Sequence, residues 1–140
     1  MGVCVKSQNY EFETGYITFN LLRLEIARFL GSEWHDHYEA AIFAPYDMAW
    51  SEYNEKTEEM AKSLSKEDDM VVDFLYQPDS EGRIDAAHCD ALVSLMARTD
   101  DEWRLDERSW AYFTHERFTL DDFNRMLVDG RDSGEGIEWH

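Results

Sequence analysis

Gly15-Tyr16-Ile17-Thr18-Phe19-Asn20-Leu21-Leu22-Arg23-Leu24-Glu25-Ile26-Ala27-Arg28-Phe29-Leu30-Gly31 is the stretch that decides the fold class. Ile17, Leu21 and Leu24, and beside them Leu22, Ile26 and Phe29, recur every three or four residues. That period gives an α-helix one apolar face. Thr18 stands where an N-cap belongs and Gly31 where a helix stops. Upstream the period is two. Val3 and Val5 alternate with polar neighbours, as do Tyr10 and Phe12 with Glu11 and Glu13, which predicts a hairpin turning near residues 7–9.

Downstream the helical period returns. Ser32 is positioned to cap a helix carrying Trp34, Tyr38 and Ile42 on one face, ended by Pro45. Asp47 opens a long helix with Trp50, Tyr53, Met60 and Leu64 directed inward, and Glu52, Glu55, Glu58, Glu59 and Lys62 outward. A short helix begins at Asp68 or Asp69 and runs over Val71, Val72, Phe74 and Leu75, where periodicity alone also admits a strand. Residues 78–82 form a turn, and Asp85 caps a helix over 86–97. Trp110 and Phe113 mark a helix near 106–116. Thr119-Leu120-Asp121-Asp122 resembles a capping box ahead of Phe123, Met126 and Leu127, with Gly130 as the stop.

The expectation is a mostly helical α+β fold of about five helices with a small N-terminal β-hairpin. A single compact acidic domain covers 1–130, and 131–140 reads as a flexible tail with Trp139 uncovered.

Charge limits the function classes. The chain holds 31 Asp and Glu against 13 Lys and Arg, a formal charge of −18 over 140 residues, yet 44% of it is apolar. Disordered acidic tails lack that much apolar and aromatic content, so the charge sits on a folded body. Like charge repels itself in a compact state and has no folding benefit. Nucleic acid backbones and membrane surfaces are anionic, so direct binding to either is not expected. No apolar run reaches the length of about 20 residues that spans a bilayer. Cys4 and Cys89 are too few for a disulfide framework and fit a reducing compartment, so a cytoplasmic location is expected. The first six residues show no secretory h-region, and Lys6 occupies the position where a myristoylation motif needs Ser or Thr.

Residues 1–30 balance their charges, whereas 31–80 and 81–140 are strongly acidic. Repulsion of an anion is therefore weakest in the first segment, where Lys6, Tyr10, Tyr16, Arg23 and Arg28 are candidate contacts for a small ligand. The acidic runs are Glu55, Glu58 and Glu59; Glu67, Asp68 and Asp69; and Asp100, Asp101 and Glu102. They present charge to a basic partner or simply solvate the surface, and composition leaves both readings open. Trp103, Trp110, Tyr112 and Trp139 flank acidic residues and suit either a core or an interface.

Chemistry is less well represented. Enzymatic activity is not expected, and no cofactor is implied. There is no phosphate-cradling glycine loop, no nucleophile elbow and no zinc-protease helix. His88 and Cys89 are neighbours that project about 100° apart on a helix, so they make poor catalytic partners, and Cys89 reads as packing. His35 and Glu39 lie one turn apart with His37 directed elsewhere, leaving a zinc ion short of ligands.

Residues 77–88 resemble an EF-hand loop. Gly82 falls at the sixth position, Ile84 at the eighth, and Asp79, Glu81 and Asp85 at the third, fifth and ninth. Gln77 at the first position and His88 at the twelfth, in place of Asp and the bidentate Glu, depart from it. The resemblance implies at most a degenerate divalent-metal module. The Met1-Gly2 start and the stretches 15–29 and 74–84 resemble uncharacterised small acidic proteins of phages and prophages. That resemblance implies a compact protein that binds and blocks a host component, such as a defence or nucleic-acid-handling complex.

The leading expectation is thus a non-enzymatic acidic inhibitor or adaptor occupying the basic, nucleic-acid-binding surface of a host protein. The alternative is a small-ligand or nucleotide-signal binder using the near-neutral first segment.

Overall fold

β1 (Gly2–Lys6) and β2 (Glu11–Gly15) pair antiparallel, with Val3 opposite Thr14, Val5 opposite Phe12 and Lys6 opposite Glu11. This is the hairpin that the alternating N-terminal residues predict. The computed structural model describes residues 2–99 and 119–140. The chain continues as α1 (Tyr16–Leu30), α2 (Ser32–Ile42), α3 (Trp50–Ala61), α4 (Lys66–Leu75), β3 (Gly82–Ile84), α5 (Ala86–Arg98), α6 (Leu120–Ser133) and β4 (Ile137–Trp139). Among the described residues there are six helices and one antiparallel sheet in the order β2-β1-β4-β3. The α+β class holds, with a sheet twice the size expected. The proposed helix at 106–116, and with it Trp103, Trp110, Tyr112 and Phe113, lies outside the described residues.

Residues 131–140 are not a flexible tail. They finish α6, turn at Gly134 in the left-handed region (φ 78°), and enter the sheet as β4 between β1 and β3. Trp139 is 1% exposed. Its ring meets Phe19 at 5.6 Å and Phe74 edge-on at 5.5 Å, and its Nε1–H donates to the Pro78 carbonyl at 2.9 Å. Gly82 lies opposite Trp139 in the β3–β4 register, and a Cβ there would stand 2.0 Å from the indole. The glycine that resembles an EF-hand turn residue is present to admit a tryptophan.

The two sheet faces differ. Val3, Val5, Ile84, Ile137 and Trp139 face the core. On the other face the register aligns Glu11, Lys6, Glu138 and Arg83 in one cross-strand row of alternating sign. Opposite charges across strands contribute roughly 0.2–1 kcal/mol per pair.

Local signals set most helix ends. Asp85 accepts the His88 N–H, and Thr119 with Asp122 completes a reciprocal capping box. Several expected boundaries shift. α1 starts directly from β2 at Gly15, so Thr18 is buried in the helix rather than capping it. Gly31, not Ser32, occupies the N-cap position of α2. α3 begins at Trp50 rather than Asp47, and α4 begins after Ser65, whose hydroxyl accepts the Asp68 N–H. That cap decides for helix where a strand was also admissible. Gly130 does not stop α6, which runs on to Ser133.

α1 lies at the centre, with Phe19, Leu22 and Ile26 fully buried against Phe74, Leu92 and Phe123. No helix of the described residues is long and apolar enough to cross a membrane.

Candidate functional site

Arg23 projects from the buried face of α1, at 1% exposure. Its Nη2 donates to the carbonyls of Phe74, Leu75 and Gln77 at 2.5–2.7 Å. These groups end α4, where unpaired carbonyls and the helix dipole concentrate negative potential. The guanidinium also lies over the rings of Phe19, Phe74 and Trp139, 5.3–5.9 Å from their centroids. Burial pulls its pKa below the ordinary value, with Tyr38 and Asp79 opposing. Nε is fully buried and makes no hydrogen bond to any described residue. Every hydrogen bond from Arg23 among the described residues leaves from Nη2, and Nη1 has no partner among them.

Arg23 lines a cavity of about 380 Å³ between α1, α2 and the segment after α4. Tyr38, Tyr76 and Trp50 supply its aromatic lining, and Asn20 and Asp79 its polar rim. Asn20 Nδ2 donates to Asp79 Oδ2 at 3.0 Å. The Tyr38 hydroxyl makes no hydrogen bond among the described residues, and burial pushes its pKa up to about 12. Gln77 is committed elsewhere, since its side chain clamps both backbone groups of Arg83.

Beside the cavity, α3 is fastened by a small polar-aromatic knot. Tyr53 stacks on His37 at 4.0 Å with planes 7° apart, and its hydroxyl donates to the His37 carbonyl at 2.7 Å. The Tyr53 proton is thereby committed, so Tyr76 donates in the 2.9 Å contact between the two hydroxyls. By the same count, Thr57 Oγ1 donates to the Tyr53 carbonyl and His37 Nε2–H donates to Thr57 at 2.7 Å. Burial, with Lys56 nearby, lowers the His37 pKa, and Glu33 opposes them. His37 is therefore a buried structural group.

Tyr53 is the one buried residue of α3. Trp50, expected inward, is 49% exposed, and Phe43 at 66% and a fully exposed Tyr46 precede it in the connection from α2. At the other end of α3, Glu55, Glu58 and Glu59 are exposed. None has an ion-pair partner among the described residues. Across the turn at 62–65 stand Glu67, Asp68 and Asp69 in the first turn of α4.

The two acidic runs have different physical accounts. Carboxylates at a helix N-terminus are favourable, which explains Glu67, Asp68 and Asp69; Asp68 is also bridged by Arg98 at 2.8 Å. Glu58 and Glu59 sit in the last turn of α3, which has no basic residue. There they oppose the dipole, and Glu55 repels both at helical spacing. Folding gives no reason for them. Asp100, Asp101 and Glu102 lie outside the described residues.

The five first-segment candidates do not converge. Lys6 belongs to the charged row on the sheet, Tyr10 sits at the exposed hairpin turn, and Tyr16 opens α1. Arg28 pairs with Glu25 one turn away, its Nε at 2.7 Å. Arg23 lines the cavity beside Tyr38, and Lys6 lines a separate one of about 430 Å³ with Arg83 and Glu138, which none of the other four candidates reaches.

The EF-hand-like ligands also diverge: Gln77 clamps Arg83, Asp79 faces Asn20, and Asp85 caps α5. His88 bridges Asp85 at 2.7 Å and Asp73 at 3.0 Å. No group of three metal-ligating side chains assembles among the described residues. Cys89 is fully buried, and its thiol is pushed up to about 12.

No family model, no curated protein and no solved structure matches this chain. The groups that sequence reasoning missed are Tyr38, Tyr76, Asn20 and Asp79 around Arg23. The legible signal was Arg23 itself, a charge set among the core positions of an amphipathic helix.

Proposed function

We propose that this protein is a docking module that engages a basic, nucleic-acid-binding surface of a partner protein through α3 and the connection before it. The carrying observation is that α3, about 18 Å long, has exposed Trp50 at one end, next to Phe43 and Tyr46 of the connection, and at the other end carboxylates with no ion-pair partner among the described residues. Between Ser32 and Ala61 eight acidic residues stand against Lys56 alone.

Aromatic anchors with a charged surround suit an interface in which buried rings hold the complex and carboxylates steer it. A basic groove shaped for phosphates is the complementary surface. In this reading the protein competes with nucleic acid for that groove, as an inhibitor or adaptor of the kind its acidic sequence suggests.

The test uses a basic partner isolated at low salt and measures binding rates. Neutralising Glu55, Glu58 and Glu59 together to Gln should slow association at least about tenfold and flatten its salt dependence. Trp50→Ala should speed dissociation about tenfold, because one anchor is lost. The Glu11→Gln control on the sheet should change neither. If both α3 variants bind like the parent protein, or nucleic acid does not compete, the reading is wrong.

A further inference from the structure

The cavity beside Arg23 shares Trp50 with the docking face but is otherwise lined by different residues. Among the described residues, the groups of its lining with hydrogen-bonding capacity to spare are Arg23 Nη1, the Tyr38 hydroxyl and the Asp79 oxygen that Asn20 does not hold. A buried guanidinium asks for an acceptor, and a carboxylate asks for a donor. The three aromatic rings of the lining ask for a flat, polarisable ligand.

Charge narrows the class further. Arg23 is already shared among three carbonyls, and Asp79 stands at the same cavity, so an anionic group meets repulsion on an acidic chain. A cation meets Arg23. What fits both sides is neutral and planar, with a carbonyl acceptor beside N–H donors on one edge. At about 380 Å³ the cavity lies in the lower part of the 300–1,000 Å³ range of small-ligand sites.

We infer that the cavity between α1, α2 and the segment after α4 binds an oxopurine base, as the free base or nucleoside, with its carbonyl toward Arg23 and Tyr38 and its N–H edge toward Asp79. Trp50 and Tyr76 supply ring surface for stacking.

Calorimetric titration of the full chain with guanosine tests this, with adenosine and guanosine monophosphate as comparison arms. Guanosine should bind saturably. Adenosine, which lacks the carbonyl and the adjacent N–H, should bind at least about tenfold more weakly. The monophosphate should also bind more weakly, by a margin that narrows as salt rises. Asp79→Asn and Tyr38→Phe keep the shape of the cavity and should each weaken guanosine at least about tenfold, with melting temperature and circular dichroism showing both variants folded. The Glu55→Gln, Glu58→Gln, Glu59→Gln triple variant should bind guanosine unchanged, which separates this site from the carboxylate end of the docking face.

The inference is overturned if guanosine shows no saturation at millimolar concentration or if adenosine binds equally well. It is also overturned if the monophosphate binds more tightly, or if folded Asp79→Asn and Tyr38→Phe proteins retain full affinity.

Discussion

α1 and α3 are helices of similar length held in opposite ways. α1 buries seven of its fifteen residues, including an arginine, whereas α3 buries only Tyr53 among twelve. Burial of each large apolar side chain contributes about 1.5–3 kcal/mol. α1 is therefore fixed by the whole core, while α3 rests on one ring and a few hydrogen bonds around His37. An element attached so lightly opens at low free-energy cost. Its outward residues are free of packing constraints, and in α3 that freedom is filled by carboxylates and exposed aromatics. Core residues here explain stability, and α3 explains what remains on the surface.

The contrast is broken most severely by Trp139→Ala. The indole closes the core over Phe19, Phe74 and Arg23, so its loss should cost about 3–5 kcal/mol and lower the melting temperature of the whole molecule. A melting curve close to the parent's would show that β4 is not part of the core.

Acid should separate the two helices. The folded-state pKa of His37 is lowered, so the neutral form stabilises the fold. That contribution is complete above the unfolded value near 6.5 and is lost as pH falls below it toward the folded pKa. Hydrogen exchange in α3 should accelerate through this window, by at most about tenfold per pH unit for a single proton, while α1 stays protected. Equal acceleration in α1 and α3, or none in α3, would refute the local role of His37.

The smallest expected effect has the opposite sign. Glu58→Lys with Glu59→Lys reverses the unfavourable charge in the last turn of α3 and should stabilise the protein by about 0.5–2 kcal/mol. Binding to a basic partner should fall at the same time. A double variant that is less stable than the parent would remove the claim that these glutamates are kept against the interest of the fold.

The parts legible in the sequence were those with local causes. The 3.6-residue period of α1, the Asp85 cap and the Thr119–Asp122 box all appear in the structure because neighbours along the chain make them. β3 and β4 were not legible. Three residues such as Ile137, Glu138 and Trp139 hold too little alternation to mark a strand, and their pairing partners lie far away in the chain. Trp139 seemed uncovered because what covers it comes from α1 and α4. Arg23 was visible as a charge but not as a buried one, since the carbonyls that receive it end a helix about fifty positions later. The setting of His37 was not legible either, because the ring that stacks on it, Tyr53, stands sixteen positions along the chain.

The position of β4 has a consequence for how the protein matures. It fills the slot between β1 and β3, with the backbone groups of Cys4 and His140 exchanging hydrogen bonds at 2.8 and 3.1 Å. Contacts this distant in sequence form slowly, because a long loop must close first. Until it closes, a nascent chain presents two bare strand edges and an unfilled aromatic pit to everything around it. Chaperone demand and proteolytic loss during synthesis should therefore concentrate in the interval before β4 arrives.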